Sequence, residues 1–121
     1  MPEQLRVELF PADLDASVGY YTQQLGFGVE RDDRPHGQRY VALARGGVRL
    51  GLLEAEGEPF PWMPAPSHVE LVLEVDDIDA EWTRVRAIGV AIDRELVERP
   101  WGLRDFRVVD PDGYYWRITD R

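Results

Sequence analysis

Pro100-Trp101-Gly102-Leu103-Arg104-Asp105-Phe106-Arg107-Val108-Val109-Asp110-Pro111-Asp112-Gly113-Tyr114-Tyr115-Trp116-Arg117-Ile118 decides the fold. It reads as strand, tight turn, strand. Phe106 to Val109 is aromatic and β-branched, and Tyr114 to Thr119 resumes that character. Between them Asp110-Pro111-Asp112-Gly113 is a turn with a mechanism: proline presets φ and glycine accepts a positive one. In the second strand Tyr114, Trp116 and Ile118 share one face, and Tyr115, Arg117 and Thr119 the other. The first face suits a core. The second carries a charge and a phenol and suits a lined surface.

Upstream of this hairpin the elements are a strand over His68 to Val75, a cap at Asp76-Asp77, and a helix with the stripe Ile78, Trp82, Val85 and, loosely, Ile88. Gly89 stops it. Val90 to Asp93 is expected as a short strand and Glu95 to Arg99 as a polar loop. The same order opens the chain: a strand over Leu5 to Phe10, a cap at Asp13 or Asp15, a helix with the stripe Leu14, Val18, Tyr21 and Leu25, and a stop at Gly26. A strand over Phe27 to Arg31, a polar loop, a strand over Arg39 to Ala44, a turn at Gly46-Gly47 and a strand over Val48 to Leu53 follow. The chain is thus a repeat of strand, helix, strand, strand, strand. Val7-Glu8-Leu9 matches Val69-Glu70-Leu71, and Asp13-Leu14-Asp15-Ala16 echoes Asp77-Ile78-Asp79-Ala80. Between the modules, prolines 59, 61, 64 and 66 exclude a helix interior, while Phe60, Trp62 and Met63 make an apolar linker. We expect one domain over 1–121, with module one at 4–54, a linker at 55–67 and module two at 68–121.

Composition bounds the function. The formal net charge is −9, from 23 acidic and 14 basic residues. That balance disfavours nucleic acid, whose phosphates would be repelled, and suits solubility or a cationic ligand. No cysteine is present, which removes disulfides, thiolate catalysis and cysteine-bound zinc. No apolar run reaches membrane-spanning length, and Met1-Pro2-Glu3-Gln4 does not open a signal peptide. The expectation is a cytoplasmic protein with no nucleic-acid or membrane partner.

Asp13-Leu14-Asp15-Ala16-Ser17, Val75-Asp76-Asp77-Ile78, Pro100-Trp101-Gly102 and Asp110-Pro111-Asp112-Gly113 together resemble the vicinal oxygen chelate superfamily. It includes glyoxalase I, extradiol dioxygenases and bleomycin resistance proteins. The Pro-Trp-Gly stretch and Ala80-Glu81-Trp82 bring the resemblance nearest to the bleomycin resistance branch. The resemblance implies an α+β fold: tandem βαβββ modules forming an open, curled mixed β-sheet around a cavity, with helices on the outer face. It also implies a homodimer that sequesters a small cationic drug in clefts shared by two subunits. Fold alone does not carry function, because one fold hosts many chemistries.

Enzymes of the superfamily hold a divalent metal on the first and last strand of each module. By resemblance those positions are Arg6 (Glu8 if the internal repeat sets the register), Gly51, Glu70 and Arg117, where the metal enzymes carry glutamate. Arginine has no lone pair to offer and glycine no side chain. We therefore expect no cofactor and a binding protein without chemistry. The alternative is a metal-dependent glyoxalase- or dioxygenase-type enzyme with ligands displaced to Glu8, His68 and Glu70. Glu8 and Glu70 lie on apolar strands and need either arginine partners, Arg6 and Arg117, or a cationic ligand. Trp101, held at a bend, is an expected aromatic wall. Trp82, Trp116, Tyr20 and Tyr21 are expected in the core or in helix packing. The candidate ligand-binding set is Arg6, Glu8, Trp62, Glu70, Trp101, Phe106, Tyr115 and Arg117, with no catalytic and no metal-binding residue.

Overall fold

The structure, a computed structural model, describes residues 3–56 and 69–121. Two compact units occupy the two halves of the chain. Trp62, His68 and the apolar linker residues lie outside the described residues.

In the first unit, β1 (Arg6–Leu9) leads into α1 (Leu14–Gly19), which continues as a π-helical turn over Tyr20–Gln24. Strands β2 (Gly28–Asp32), β3 (Tyr40–Arg45) and β4 (Val48–Leu53) follow. The sheet order is β1-β4-β3-β2, with β1 parallel to β4 and the other pairs antiparallel. Asp13, not Asp15, is the cap: its carboxylate accepts the Ala16 N–H at 3.1 Å. Leu14, Val18, Tyr21 and Leu25 are all buried, as their spacing predicts, against Leu9, Val41, Leu43, Leu50 and Leu52. Full burial of each such side chain is worth about 1.5–3 kcal/mol. Gly26 ends the helix at φ 75°, a conformation costly for residues with a Cβ.

The second unit repeats the plan. Its elements are β5 (Leu71–Glu74), α2 (Ile78–Ala87), β6 (Arg94–Glu98), β7 (Arg104–Val109) and β8 (Tyr115–Thr119), in the sheet order β5-β8-β7-β6. The closing turn is built as its residues dictate. The Asp110 carboxylate accepts the N–H groups of Asp112 and Tyr114 at 2.8 and 2.9 Å, and Gly113 sits at φ 91°. Trp116 and Ile118 are buried with Phe106, Val108 and Leu73. The α+β repeat of two mixed four-stranded sheets is thus the architecture expected. No helix among the described residues is long and apolar enough to cross a membrane.

Four details differ from the sequence expectations. The strand after α2 is not Val90 to Asp93 but β6, which covers most of the stretch read as a polar loop. It is an edge strand, largely exposed, so it lacks the apolar alternation that marks half-buried strands. Strand β5 starts only at Leu71. The buried face of α2 is Ile78, Glu81 and Val85. Glu81 is tolerated there because Arg84 meets its carboxylate at 2.8 Å. Trp82 sits half-buried at the margin, its ring 5.0 Å from Phe106 and under the Arg86 guanidinium, and Ile88 falls beyond the last helical residue.

The fourth correction concerns the repeat itself. Asp77 caps α2 through the Ala80 N–H at 3.0 Å, as Asp13 caps α1. Counting back equally from the two caps places Arg6 on Glu70 and Glu8 on Val72. Strand pairing agrees: Glu8 lies opposite Gly51 of β4, and Val72 opposite Arg117 of β8. Glu8 and Glu70 are therefore not equivalent, despite the matching Val-Glu-Leu triplets.

Candidate functional site

Each sheet has one face under its helix and one face turned away. In the first unit the latter carries Arg6 and Glu8 of β1, Gly51 of β4 and Tyr40 and Ala42 of β3, because Glu8 pairs with Gly51 and Gly51 with Ala42. Two small residues in line leave room for the Glu8 carboxylate to lie over the sheet. A Cβ built on Gly51 would run into Glu8 Oε2 and the Tyr40 hydroxyl. Arg6 Nε donates to Glu8 Oε1 at 2.7 Å, and the Tyr40 hydroxyl donates to the same oxygen at 3.1 Å. Oε2 is buried and has no hydrogen-bond partner.

A cavity of about 450 Å³ opens over this cluster. Arg6, Glu8, Phe10, Arg31, Asp33, Gln38, Tyr40 and Leu53 line it. The Arg31 guanidinium lies 5.4 Å from the centre of the Tyr40 ring. Burial and the neighbouring Glu8 push the Tyr40 phenol above its ordinary pKa of 10.0, which keeps it a neutral donor. Hydrogen bonding to Glu8 raises the Arg6 guanidinium further above its already high value. The arrangement offers a buried anionic acceptor beside aromatic and apolar walls.

In the second unit the corresponding face is dominated by arginine. Arg107 of β7 stands directly opposite Arg117 of β8. Arg117 Nε lies 2.8 Å from Glu70 Oε1, but its N–H is not aimed along that line, so the contact is an ion pair and not a hydrogen bond. Glu70 Oε2 is 3.9 Å from Arg107 Nη1. Fully buried Asp105 is held by Arg99, through Nε at 2.9 Å and Nη2 at 2.8 Å, and lies 3.5 Å from Arg107 Nε. Hydrogen bonding to Tyr115 heads the causes that raise the Arg107 guanidinium.

The candidate residues divide between the two units. Arg6 and Glu8 meet in the first unit, and Glu70, Tyr115 and Arg117 in the second. The expected pairs Arg6–Glu8 and Arg117–Glu70 both form. Phe106 does not face Arg117: it is fully buried on the helix side of its sheet against Trp82, because the strand alternation puts it with Val108. Trp101 is 55% exposed at the bend between β6 and β7, which the Gly102 N–H closes onto the Arg99 carbonyl at 2.9 Å. Sequence reasoning missed Tyr40, Asp105, Arg107 and Arg99. Alternation within Asp105 to Val108 held a signal for two of them, since Phe106 and Val108 share the face that Asp105 and Arg107 do not.

The positions at which the fold's enzymes hold a metal carry Arg6, Gly51, Glu70 and Arg117. Of these only Glu70 has a side-chain lone pair to offer, and Arg117 engages it. This donor set does not fit a divalent cation. No group of three or more His, Cys, Asp or Glu side chains suited to a metal occurs among the described residues.

Fold and site together define a duplicated βαβββ protein with an open face on each module. The profile of the Glyoxalase/Bleomycin resistance protein/Dioxygenase superfamily matches residues 4–118, and the chain belongs to that superfamily. It is 27% identical over 113 residues to the bleomycin resistance proteins of Geobacillus stearothermophilus and Staphylococcus aureus, covering 83% of each chain. Among solved structures it is similar to TioX from Micromonospora sp. ML1, with 30% identity, a TM-score of 0.80 and 98% of both chains covered. A superfamily member from Sphaerobacter thermophilus shares the fold at 20% identity and a TM-score of 0.76.

Proposed function

We propose that this protein binds a small aromatic, cationic molecule without transforming it, in the manner the names of its bleomycin resistance relatives suggest. The observation that carries this is Glu8: a carboxylate that lines a ligand-sized cavity together with the aromatic rings of Phe10 and Tyr40. A carboxylate in such a cavity attracts an ammonium or amidinium group, and the rings beside it suit a flat ligand. The donor set at the metal positions supports a role without a cofactor. The relatives' names favour an antibiotic as the ligand. We also propose a homodimer, as the family resemblance implies; light scattering tests it, and a monomer at micromolar concentration excludes it.

Calorimetric titration with bleomycin tests the ligand. We expect saturable binding at about micromolar affinity or tighter, weakened at least about tenfold by Glu8→Gln. Absence of heat with the native protein removes the drug assignment. Unchanged affinity in the variant removes Glu8 from the site.

A further inference from the structure

The half-buried cluster on the open face of the second unit holds three guanidiniums, Arg99, Arg107 and Arg117, against two carboxylates, Glu70 and Asp105. On a chain of net charge −9 this local surplus runs against the bulk charge. The pairing shows which cation is in excess. Arg99 answers Asp105 with two short contacts, and Arg117 answers Glu70 at 2.8 Å. Arg107 reaches acids only at 3.5 and 3.9 Å. It also stands directly across from Arg117, an arrangement of like charges that destabilises a sheet unless something bridges them. The Nε atoms of both Arg107 and Arg117 are buried and lack a hydrogen-bond acceptor. Arg117 Nε nonetheless lies against Glu70 Oε1 at 2.8 Å, so the cation left without a close carboxylate is Arg107, whose Nε is 3.5 Å from Asp105 Oδ1; a buried donor without an acceptor is costly.

We propose that this face is a binding site for an organic carboxylate, taken between Arg107 and Arg117. A guanidinium presents a planar fork that a carboxylate matches with two parallel hydrogen bonds. One surplus positive charge suits a monoanion, whereas a phosphate near its dianionic form would leave an uncompensated negative charge. The carboxylate enters on the Arg117 side of Arg107, away from Asp105, whose Oδ2 is itself a buried acceptor without a partner. Tyr115 is buried on the same face of the sheet, beside Arg107. The other charged groups on this face are Glu74 of β5 and Arg94 of β6, the latter opposite Arg107 with Asp93 at 3.9 Å. Both are exposed, so solvent screens them more than the inner set. The site is built from residues of the second unit alone and does not depend on the ligand proposed at Glu8.

Thermal melting of the full chain in sodium benzoate, with ionic strength held constant by sodium chloride, tests the proposal, and sodium phosphate serves as the comparison anion. We expect a saturable rise in melting temperature with benzoate and a weaker effect with phosphate. Arg107→Met should weaken benzoate binding at least about tenfold. Glu70→Gln, which releases Arg117 from its internal partner, should strengthen it about fivefold. If Arg107→Met lacks a native circular dichroism spectrum, Arg107→Lys keeps the charge and loses the fork, and the same weakening is expected. No saturable effect beyond chloride overturns the proposal, as does undiminished binding in the Arg107 variant or weaker binding in Glu70→Gln. Tighter binding of phosphate overturns the carboxylate assignment.

Discussion

The carboxylate of Glu8 occupies the space that a side chain on Gly51 would need. The two residues face each other across the parallel pair β1 and β4, so the absence of a Cβ on one strand is what lets the other strand's glutamate lie flat on the sheet. The same contact leaves Glu8 Oε2 buried and unpaired.

Gly51→Ala should therefore act through Glu8. The methyl group displaces the carboxylate and breaks the Tyr40–Glu8 hydrogen bond, at a cost of about 1 kcal/mol and about 4–8 °C in melting temperature. Bleomycin affinity should fall with it. A variant with native melting temperature and native affinity would contradict this account of the cavity.

A second prediction concerns acid. Asp32 is held at about 2, first by hydrogen bonding from the Arg34 side chain and then by the Arg34 backbone N–H. Arg34 also bonds Asp15 of α1, while Arg39 ties Asp15 to Glu54, and both of those carboxyls are lowered by their arginine partners. A depressed folded-state pKa gives stability that is present above the unfolded value, near 3.8 for aspartate, and is lost as pH falls through about 2. Urea midpoints should drop between pH 5 and pH 2, and Asp32→Asn should flatten that slope. An equally steep slope in the variant would assign acid lability elsewhere.

Alkali probes the cavity. Tyr40 has a raised pKa, so its contribution to stability is present below its unfolded value of 10.0 and lost as pH rises through the folded one. Ultraviolet titration should show a late-ionising phenol that is missing in Tyr40→Phe. Persistence of that late step in the variant would place it on another tyrosine.

The two aromatics singled out on the closing hairpin should behave in opposite ways. Phe106→Ala removes a fully buried ring packed on Trp82 and should cost about 3–5 kcal/mol in chemical denaturation. Trp101→Ala, at an exposed bend, should change stability by less than about 0.5 kcal/mol. Comparable losses in both would mean that Trp101 is covered in solution.

Much of the fold was legible because its punctuation is local. Asp13 and Asp77 cap helices through N–H groups three residues on, Asp110 organises a turn through N–H groups two and four residues on, and Gly26 and Gly89 end helices at positive φ. Such signals need only near neighbours. Strand β6 was not legible because an exposed edge strand has no buried face to impose alternation. Of the site, the pairs Arg6–Glu8 and Arg117–Glu70 could be anticipated, since carboxylates on apolar strands need cations. Tyr40 and Arg99 could not, because they reach Glu8 and Asp105 from other strands or from beside a bend.

By itself the sequence determined the duplicated βαβββ plan, the caps and turns, and which side chains share a face. Tertiary structure alone decided who stands opposite whom. The Val-Glu-Leu triplets align Glu8 with Glu70, whereas the caps and pairing align Glu70 with Arg6, a slip of two residues. Side chains alternate with a period of two, so that slip leaves every residue on the same face and is invisible to any periodicity. It changes every partner, and with the partners it moves the unpaired acceptor to Glu8 and the surplus cation to Arg107.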